Sequence, residues 1–117
     1  VIVTTVIGSK PPVILITDDR IAIQSMYGTE IPLDSIQSVD MFDLNGRDIS
    51  KLNGFNMGDN LKGKFSVEEL GTVTLYQLGK PCNSVLIRAA DKKYLINLGD
   101  EAENENLRSK IVNAVNK

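Results

Sequence analysis

Histidine is absent from this sequence of 117 residues, and cysteine occurs once, as Cys82. The absence of histidine removes the side chain most often used as a general base and as a ligand of catalytic metals. A single cysteine excludes an internal disulfide and supplies too few ligands for a zinc site. With no histidine to activate it, Cys82 is predicted to be an ordinary thiol. We therefore predict that the chain is not an enzyme and that it uses no cofactor or metal.

Long apolar runs are also missing, because none approaches the ~20 residues that a membrane-spanning helix requires. The formal net charge is −2 and the pI is about 5.1, so nothing attracts the whole chain to nucleic acid or anionic lipid. The three tyrosines do not alternate with arginines as they would in a surface that stacks bases. We expect no nucleic-acid partner, and any binding of anions must come from a local patch.

The length predicts one domain spanning residues 1–117. The chain begins with Val1 instead of methionine, and its first ten residues do not form a signal peptide. We therefore expect an excised or processed piece of a larger protein, for which an upstream membrane anchor is one alternative. Residues 1–10 are rich in β-branched side chains and are predicted to be either a first strand or a linker.

Alternating apolar and polar residues predict about eight short strands between residues 1 and 98. Three hairpins are predicted, which turn at residues 18–19, 69–71 and 91–93. The period changes at residue 100, where Asp100 and Glu103 have the spacing of a helix-capping box. Four apolar residues then recur on one face of a predicted helix over 100–117: Leu107, Ile111, Ala114 and Val115. The predicted fold class is α+β, mainly β, with one C-terminal helix capping the sheet.

The stretch RDISKLNGFNMGDNLKGKF, residues 47–65, is basic and rich in glycine, and it is predicted to be a long irregular loop. Its candidate contact residues are Arg47, Lys51, Lys62, Lys64, Phe55 and Met57. The four cations predict either a site for an anionic headgroup or acidic partner, or a solvated loop that protects a sheet edge. The two apolar side chains either fold back onto the core or form a contact surface.

Five aspartates between residues 18 and 43 could be read as a carboxylate cluster: Asp18, Asp19, Asp34, Asp40 and Asp43. Most of them occupy predicted turns, where aspartate is favoured because its side chain bonds to the local backbone. None shows the spacing of a calcium loop. We therefore predict local hydrogen bonding for the aspartates in turns, and no metal site.

Four segments in order resemble the bacterial pleckstrin-homology-like families: ITDDRIAIQSMYGTEIPLDSIQSV, GRDISKLNGFNMGDNLKGKF, GTVTLYQ and VLIRAADKKYLINLGD. The resemblance implies a strongly bent antiparallel sheet, or partly open barrel, of about seven strands with the helix at one end. It also implies a structural role for Gly54, Gly58, Gly63 and Phe65, and it brings no catalytic residue. Lipid-binding members of the wider fold carry basic residues between their first two strands, where this chain offers only Lys10 and Arg20.

Two functions remain open from the sequence. The preferred one is a non-catalytic module that mediates protein contact, self-association or regulation through the 47–64 stretch or an exposed strand edge. It would belong to a larger bacterial protein, for which a membrane anchor is one alternative. The alternative is peripheral binding of an anionic lipid headgroup or a small anionic ligand by the four cations of that stretch.

Overall fold

The computed structural model describes residues 5–8 and 10–116, and within them the chain forms ten strands, a 3-10 turn and one helix. The elements in chain order are β1 (Thr5–Ile7), β2 (Val13–Ile16), β3 (Arg20–Gln24), β4 (Thr29–Pro32), the 3-10 turn (Leu33–Ser35), β5 (Ile36–Asp43), β6 (Ile49–Met57), β7 (Asn60–Val67), β8 (Gly71–Gln77), β9 (Asn83–Ala89), β10 (Lys92–Asn97) and α1 (Glu101–Val115). The predicted mainly β, α+β class is confirmed.

The first four strands form an antiparallel sheet in the order β1-β2-β3-β4. Thr5–Ile7 pairs with β2, while residues 1–4 of the predicted first strand or linker lie outside the described residues. Pro32 is the last residue of the edge strand β4. An edge position suits proline, because it has no N–H to donate to a neighbouring strand.

The other six strands form a second sheet in the order β5-β9-β10-β8-β7-β6. The predicted hairpins β7–β8 and β9–β10 are confirmed. One pair departs from the expected antiparallel pattern, because β10 lies parallel to β8. The β9–β10 hairpin is inserted between β5 and β8, so β10 meets β8 running in the same direction.

The six-stranded sheet is curled, and the length of one connection explains why. β5 and β6 are consecutive in the chain but lie at opposite edges of the sheet. The connection from Asp43 to Ile49 can span roughly 20 Å when extended, whereas the edges of a flat six-stranded sheet lie roughly 24 Å apart. The sheet must therefore bend to bring its edges together, which produces the expected partly open barrel.

The core has two layers because both faces of the six-stranded sheet are apolar. The concave face encloses Leu44, Leu61, Phe65, Val67, Val73, Leu75, Leu86 and Leu95. The opposite face packs against the four-stranded sheet and α1, and this layer includes Ile14, Ile16, Ile21, Ile23, Ile31, Tyr76, Val85, Ile87, Tyr94, Ile96, Leu107 and Ile111. The four-stranded sheet therefore covers one face of the six-stranded sheet.

The helix α1 begins and packs as predicted. The side chain of Asp100 caps its N-terminus by accepting hydrogen bonds from the N–H groups of Ala102 (2.7 Å) and Glu103 (3.3 Å). Leu107 and Ile111 are fully buried on the face that meets the sheets. No helix within residues 5–8 and 10–116 is both long and apolar enough to cross a bilayer.

A buried amide network fastens α1 to the end of the sheet. Asn104 is fully buried, its Oδ1 accepts a hydrogen bond from the N–H of Leu98 (2.7 Å), and its Nδ2 donates to the carbonyl of Asn83 (2.9 Å) and to Oδ1 of Asn97 (3.1 Å). Asn97 donates in turn to the carbonyl of Lys80 (2.9 Å). These bonds satisfy backbone groups at the start of β9 and the end of β10, where strand pairing stops.

Two glycines face each other across β6 and β7, where the backbones leave no room for a side chain. Gly54 and Gly63 are direct cross-strand partners. A Cβ atom on Gly63 would lie 2.6 Å from the carbonyl oxygen of Asn53 and 2.7 Å from Cα of Gly54. Gly63 also has φ of +119°, which side chains disfavour. The structural role that the resemblance implies for these glycines is explained by this close approach.

We expect Asn104→Ala to lower the free energy of unfolding by about 3 kcal/mol, because it leaves buried backbone and amide groups without partners. The matched control is Asn106→Ala, which changes an exposed asparagine on the same helix and is expected to cost less than about 0.5 kcal/mol. Urea unfolding measures both. Equal losses for the two variants would show that the amide network contributes little.

We expect Gly63→Ala to lower the free energy of unfolding by about 3 kcal/mol, because positive φ and the backbone clash add together. In Gly71→Ala the replaced residue has φ of +78° but no atom within 4 Å of the new Cβ, so only the cost of the backbone conformation remains, about 1–2 kcal/mol. Thermal or urea unfolding compares the two. A smaller loss for Gly63→Ala than for Gly71→Ala would contradict the proposed close approach.

Candidate functional site

The stretch 47–64 is not an irregular loop, so that prediction is wrong. Most of it forms the hairpin β6–β7, which turns at Gly58 and Asp59. The glycines misled the prediction because only Gly58 lies in a turn, whereas Gly54 and Gly63 lie inside strands at positions without room for a side chain. The alternation of polar residues with Leu61, Gly63, Phe65 and Val67 along 60–67 was the sequence pattern that could have revealed the second strand.

Arg47 does not lie on the hairpin and is already occupied by protein groups. Its guanidinium forms an ion pair with Glu69, its Nε donates to the carbonyl of Asp43 (3.2 Å), and its Cζ lies 4.8 Å from the centre of the Phe42 ring. Arg47 therefore links the β5–β6 connection to the turn between β7 and β8. Its positive charge is therefore already paired within the protein.

The three lysines of the hairpin lie on two different faces. Lys62 and Lys64 alternate with the buried Leu61 and Phe65 along β7, so they point to the face away from the concave core. Lys51 is the cross-strand partner of Phe65, which places it on the concave side. The structure therefore brings Lys62 and Lys64 together and separates Lys51 and Arg47 from them.

The two apolar candidates of the hairpin differ in exposure. Phe55 is half-buried and opposes Lys62, whose Nζ lies 6.0 Å from the centre of the ring. Met57, beside the turn, is 67% exposed. Leu52 sits at a β-bulge and is 56% exposed. Phe55 is thus held against its neighbour, whereas Met57 and Leu52 offer apolar surface to solvent.

β6 is the edge strand of the six-stranded sheet. Its inner side pairs with β7, and its outer side pairs with no strand among residues 5–8 and 10–116. From Leu52 to Met57 it carries no charged residue. An edge of this kind presents unpaired N–H and C=O groups to which another strand can add.

A groove opens beside the hairpin, where the cover provided by the four-stranded sheet ends. Its floor and one wall come from the six-stranded sheet, and the other wall is the turn between β3 and β4; the lining residues are Tyr27, Gly28, Thr29, Gly63, Lys64, Thr74, Tyr76, Lys92 and Tyr94. The cavity volume is about 240 Å³. Sequence reasoning missed Lys92, Thr74 and Tyr94 because only the pairing of β8 with β10 brings these residues beside Lys64.

Tyr76 holds the two walls of the groove together. Its hydroxyl is buried and donates a hydrogen bond to the carbonyl of Tyr27 in the β3–β4 turn. Burial, with a smaller contribution from Tyr94, raises the pKa of Tyr76 to about 12. The hydroxyl therefore stays protonated as a donor, and the position of Tyr27 is fixed relative to the six-stranded sheet.

Arg20 and three of the five aspartates contact other groups of the protein. Arg20 forms ion pairs with Asp19 (3.1 Å) and Glu30 (3.0 Å), and its hydrogen bond lowers the pKa of Asp19. Asp40 lies 3.5 Å from Arg88, and Asp43 accepts a hydrogen bond from the N–H of Asn45 (2.9 Å). The part of the chain that the structure describes contains no group of three or more side chains suited to holding a metal.

Cys82 belongs to the amide network at the end of the sheet. Its Sγ donates to Oδ1 of Asn97 (3.3 Å) and accepts from Nδ2 of Asn104 (3.5 Å). Burial raises the pKa of the Cys82 thiol, and the carboxylates of Glu101, Asp43 and Asp100 raise it further. Because the thiolate is the reactive form, this environment disfavours nucleophilic chemistry at Cys82.

The sequence was compared with known proteins and protein families. No curated protein and no solved structure matches the chain significantly. A family model described as a bacterial PH domain matches residues 13–110, which is well over half of the chain. The matched range starts at β2 and ends within α1, so it includes β2–β4 of the first sheet, the whole six-stranded sheet and the groove. The chain belongs to the bacterial PH domain family.

Proposed function

We propose that this domain is a non-catalytic interaction module that associates with a second copy of itself through the edge of β6. The observation that carries the proposal is the free outer edge of β6, with an uncharged segment from Leu52 to Met57. The bacterial PH family supports a non-catalytic role, since domains of this type generally serve as binding modules.

A second copy fits this edge better than an arbitrary strand because the edge is self-complementary. An antiparallel pair of β6 strands related by a two-fold axis at Phe55 places Phe55 opposite Phe55 of the second copy, and Asn53 opposite Met57. Aromatic residues directly opposite each other stabilise antiparallel strands. The bulge at Leu52 lies outside the paired residues 53–57, so it does not interrupt their pairing.

Charge also favours this alignment. With the axis at Phe55, Lys51 of each copy comes near Asp59 in the turn of the other copy. Opposite charges at the two ends of the paired segment favour this register over those that bring the lysines together. The interface is small, because only about five residues of each strand pair, so the dimer is expected to be weak and dependent on concentration.

Binding of an anionic headgroup by all four cations of the 47–64 stretch has less support. Arg47 is paired with Glu69, and Lys51 lies on the opposite face from Lys62 and Lys64. The four cations therefore do not converge on one ligand.

We expect the wild-type domain to show a reversible monomer–dimer equilibrium in sedimentation velocity over a concentration series. Met57→Lys is expected to abolish dimer formation, because a lysine on an edge strand opposes the addition of another strand. The matched control is Met26→Lys, which changes a methionine that is 65% exposed away from β6 and is expected to leave the equilibrium unchanged. A monomer at every concentration tested would overturn the proposal.

The register of the dimer is tested by exchanging charges. Asp59→Lys is expected to weaken the dimer, because it brings like charges together at both ends of the segment. The double variant Lys51→Asp with Asp59→Lys is expected to restore it, because the opposite charges meet again in reversed positions. Failure of the double variant to recover the association would exclude the alignment about Phe55.

A further inference from the structure

The groove beside the hairpin, lined by Lys64, Lys92, Thr74, Tyr94 and Tyr27, has a chemistry that self-association through β6 does not use. Its cations come from two strands, β7 and β10, which are separated by β8. It contains no carboxylate among its lining residues. The groove is therefore locally positive, with two ammonium groups and no carboxylate, although the net charge of the chain is −2.

Cross-strand pairing places these groups in one row. Lys64 on β7 is the partner of Thr74 on β8, and Thr74 is the partner of Tyr94 on β10. Residues that pair directly across strands point to the same face. Lys92 precedes Tyr94 by two residues and therefore shares that face. Lys64 and Tyr94 lie two strand spacings apart, roughly 10 Å, so the long lysine side chains can both reach the space above Thr74.

The groove offers hydrogen-bond donors without protein acceptors. Neither Lys64 nor Lys92 forms an ion pair with a described residue, and the hydroxyls of Thr74 and Tyr94 have no hydrogen-bond partner among residues 5–8 and 10–116. The hydroxyl of Tyr76, unlike that of Tyr94, already donates a hydrogen bond to the carbonyl of Tyr27. Two ammonium groups and two hydroxyls thus surround one cavity.

We infer that this groove binds a phosphate monoester, with the phosphate over Thr74 between Lys64 and Lys92. A phosphate monoester carries a charge near −2 at neutral pH and three strong acceptor oxygens, which match two cations and two hydroxyl donors. A carboxylate would leave one cation uncompensated. The half-exposed ring of Tyr27 forms the wall against which the organic part of the ester packs. The cavity of about 240 Å³ admits a small head group.

The same phosphate chemistry occurs in soluble esters and in lipid headgroups, so two probes are used on the folded domain. The first is glycerol 3-phosphate, titrated at low salt while amide shifts are followed by ¹⁵N NMR. The second is co-sedimentation with phosphatidylcholine vesicles that contain phosphatidic acid, compared with vesicles of phosphatidylcholine alone. We expect shifts centred on Thr74, Tyr94 and the β3–β4 turn, and weaker binding as salt rises.

The lysines are tested by matched substitutions. Lys92→Met is expected to weaken binding about tenfold or more, because it removes a charge-assisted hydrogen bond. Lys110→Met removes an exposed lysine of α1, away from the groove and from β6, and is expected to leave binding unchanged. Tyr94→Phe removes only a hydroxyl, keeps the core volume and is expected to weaken binding about threefold to tenfold.

Each outcome decides the inference. Binding of the soluble ester that Lys92→Met weakens supports a soluble ligand, and binding of phosphatidic acid vesicles alone, lost in the same variant, supports a lipid headgroup. Absence of binding to either probe, or equal effects of Lys92→Met and Lys110→Met, would overturn the inference. Because Lys92 and Tyr94 lie outside β6, these results are independent of the monomer–dimer equilibrium.

Discussion

The short connection between β5 and β6 is the constraint on which the rest of this structure depends. It joins the two edges of a six-stranded sheet and is too short to do so unless the sheet curls. Curling encloses one apolar layer, with Leu44 fully buried in the connection itself. The opposite face of the same sheet remains apolar over β8, β9 and β10, so the four-stranded sheet and α1 must cover it.

The four-stranded sheet and α1 do not cover the whole six-stranded sheet. The parts that they leave open are the two candidate surfaces, which are the edge of β6 and the groove. The four-stranded sheet and the helix pack over the central strands but leave β6 and much of β7 uncovered. The hairpin edge is therefore available to another strand. The groove forms where Tyr27 ends the cover and Lys64 begins the exposed face, so the binding surfaces arise from the same packing that builds the core.

The buried amide network supplies hydrogen-bond partners for backbone groups at the end of the six-stranded sheet. Backbone groups where β9 begins and β10 ends cannot pair with another strand, and burying them unpaired would be costly. Asn104 brings a donor and an acceptor from α1 to these groups, and Cys82 lies against the same amides. The helix is thus attached both by Leu107 and Ile111 and by hydrogen bonds of defined direction.

Most of the local structure was predictable from the sequence, because alternation and capping act over a few residues. The hairpins β7–β8 and β9–β10, the cap at Asp100 and the buried face of α1 followed from the order of apolar residues. The hairpin β6–β7 did not, because the glycines that suggest a loop are required by a close approach between strands.

The sequence by itself determined the α+β class, the helix and its cap, and the lack of residues for common enzyme chemistry. Only the tertiary structure decided which cations act together. Arg47, Lys51, Lys62 and Lys64 are near in sequence but are divided between an ion pair and two faces of a hairpin, whereas Lys92 lies far along the chain and meets Lys64 across β8. The physical reason is that strand order and facing direction depend on long-range pairing, which local sequence patterns do not specify.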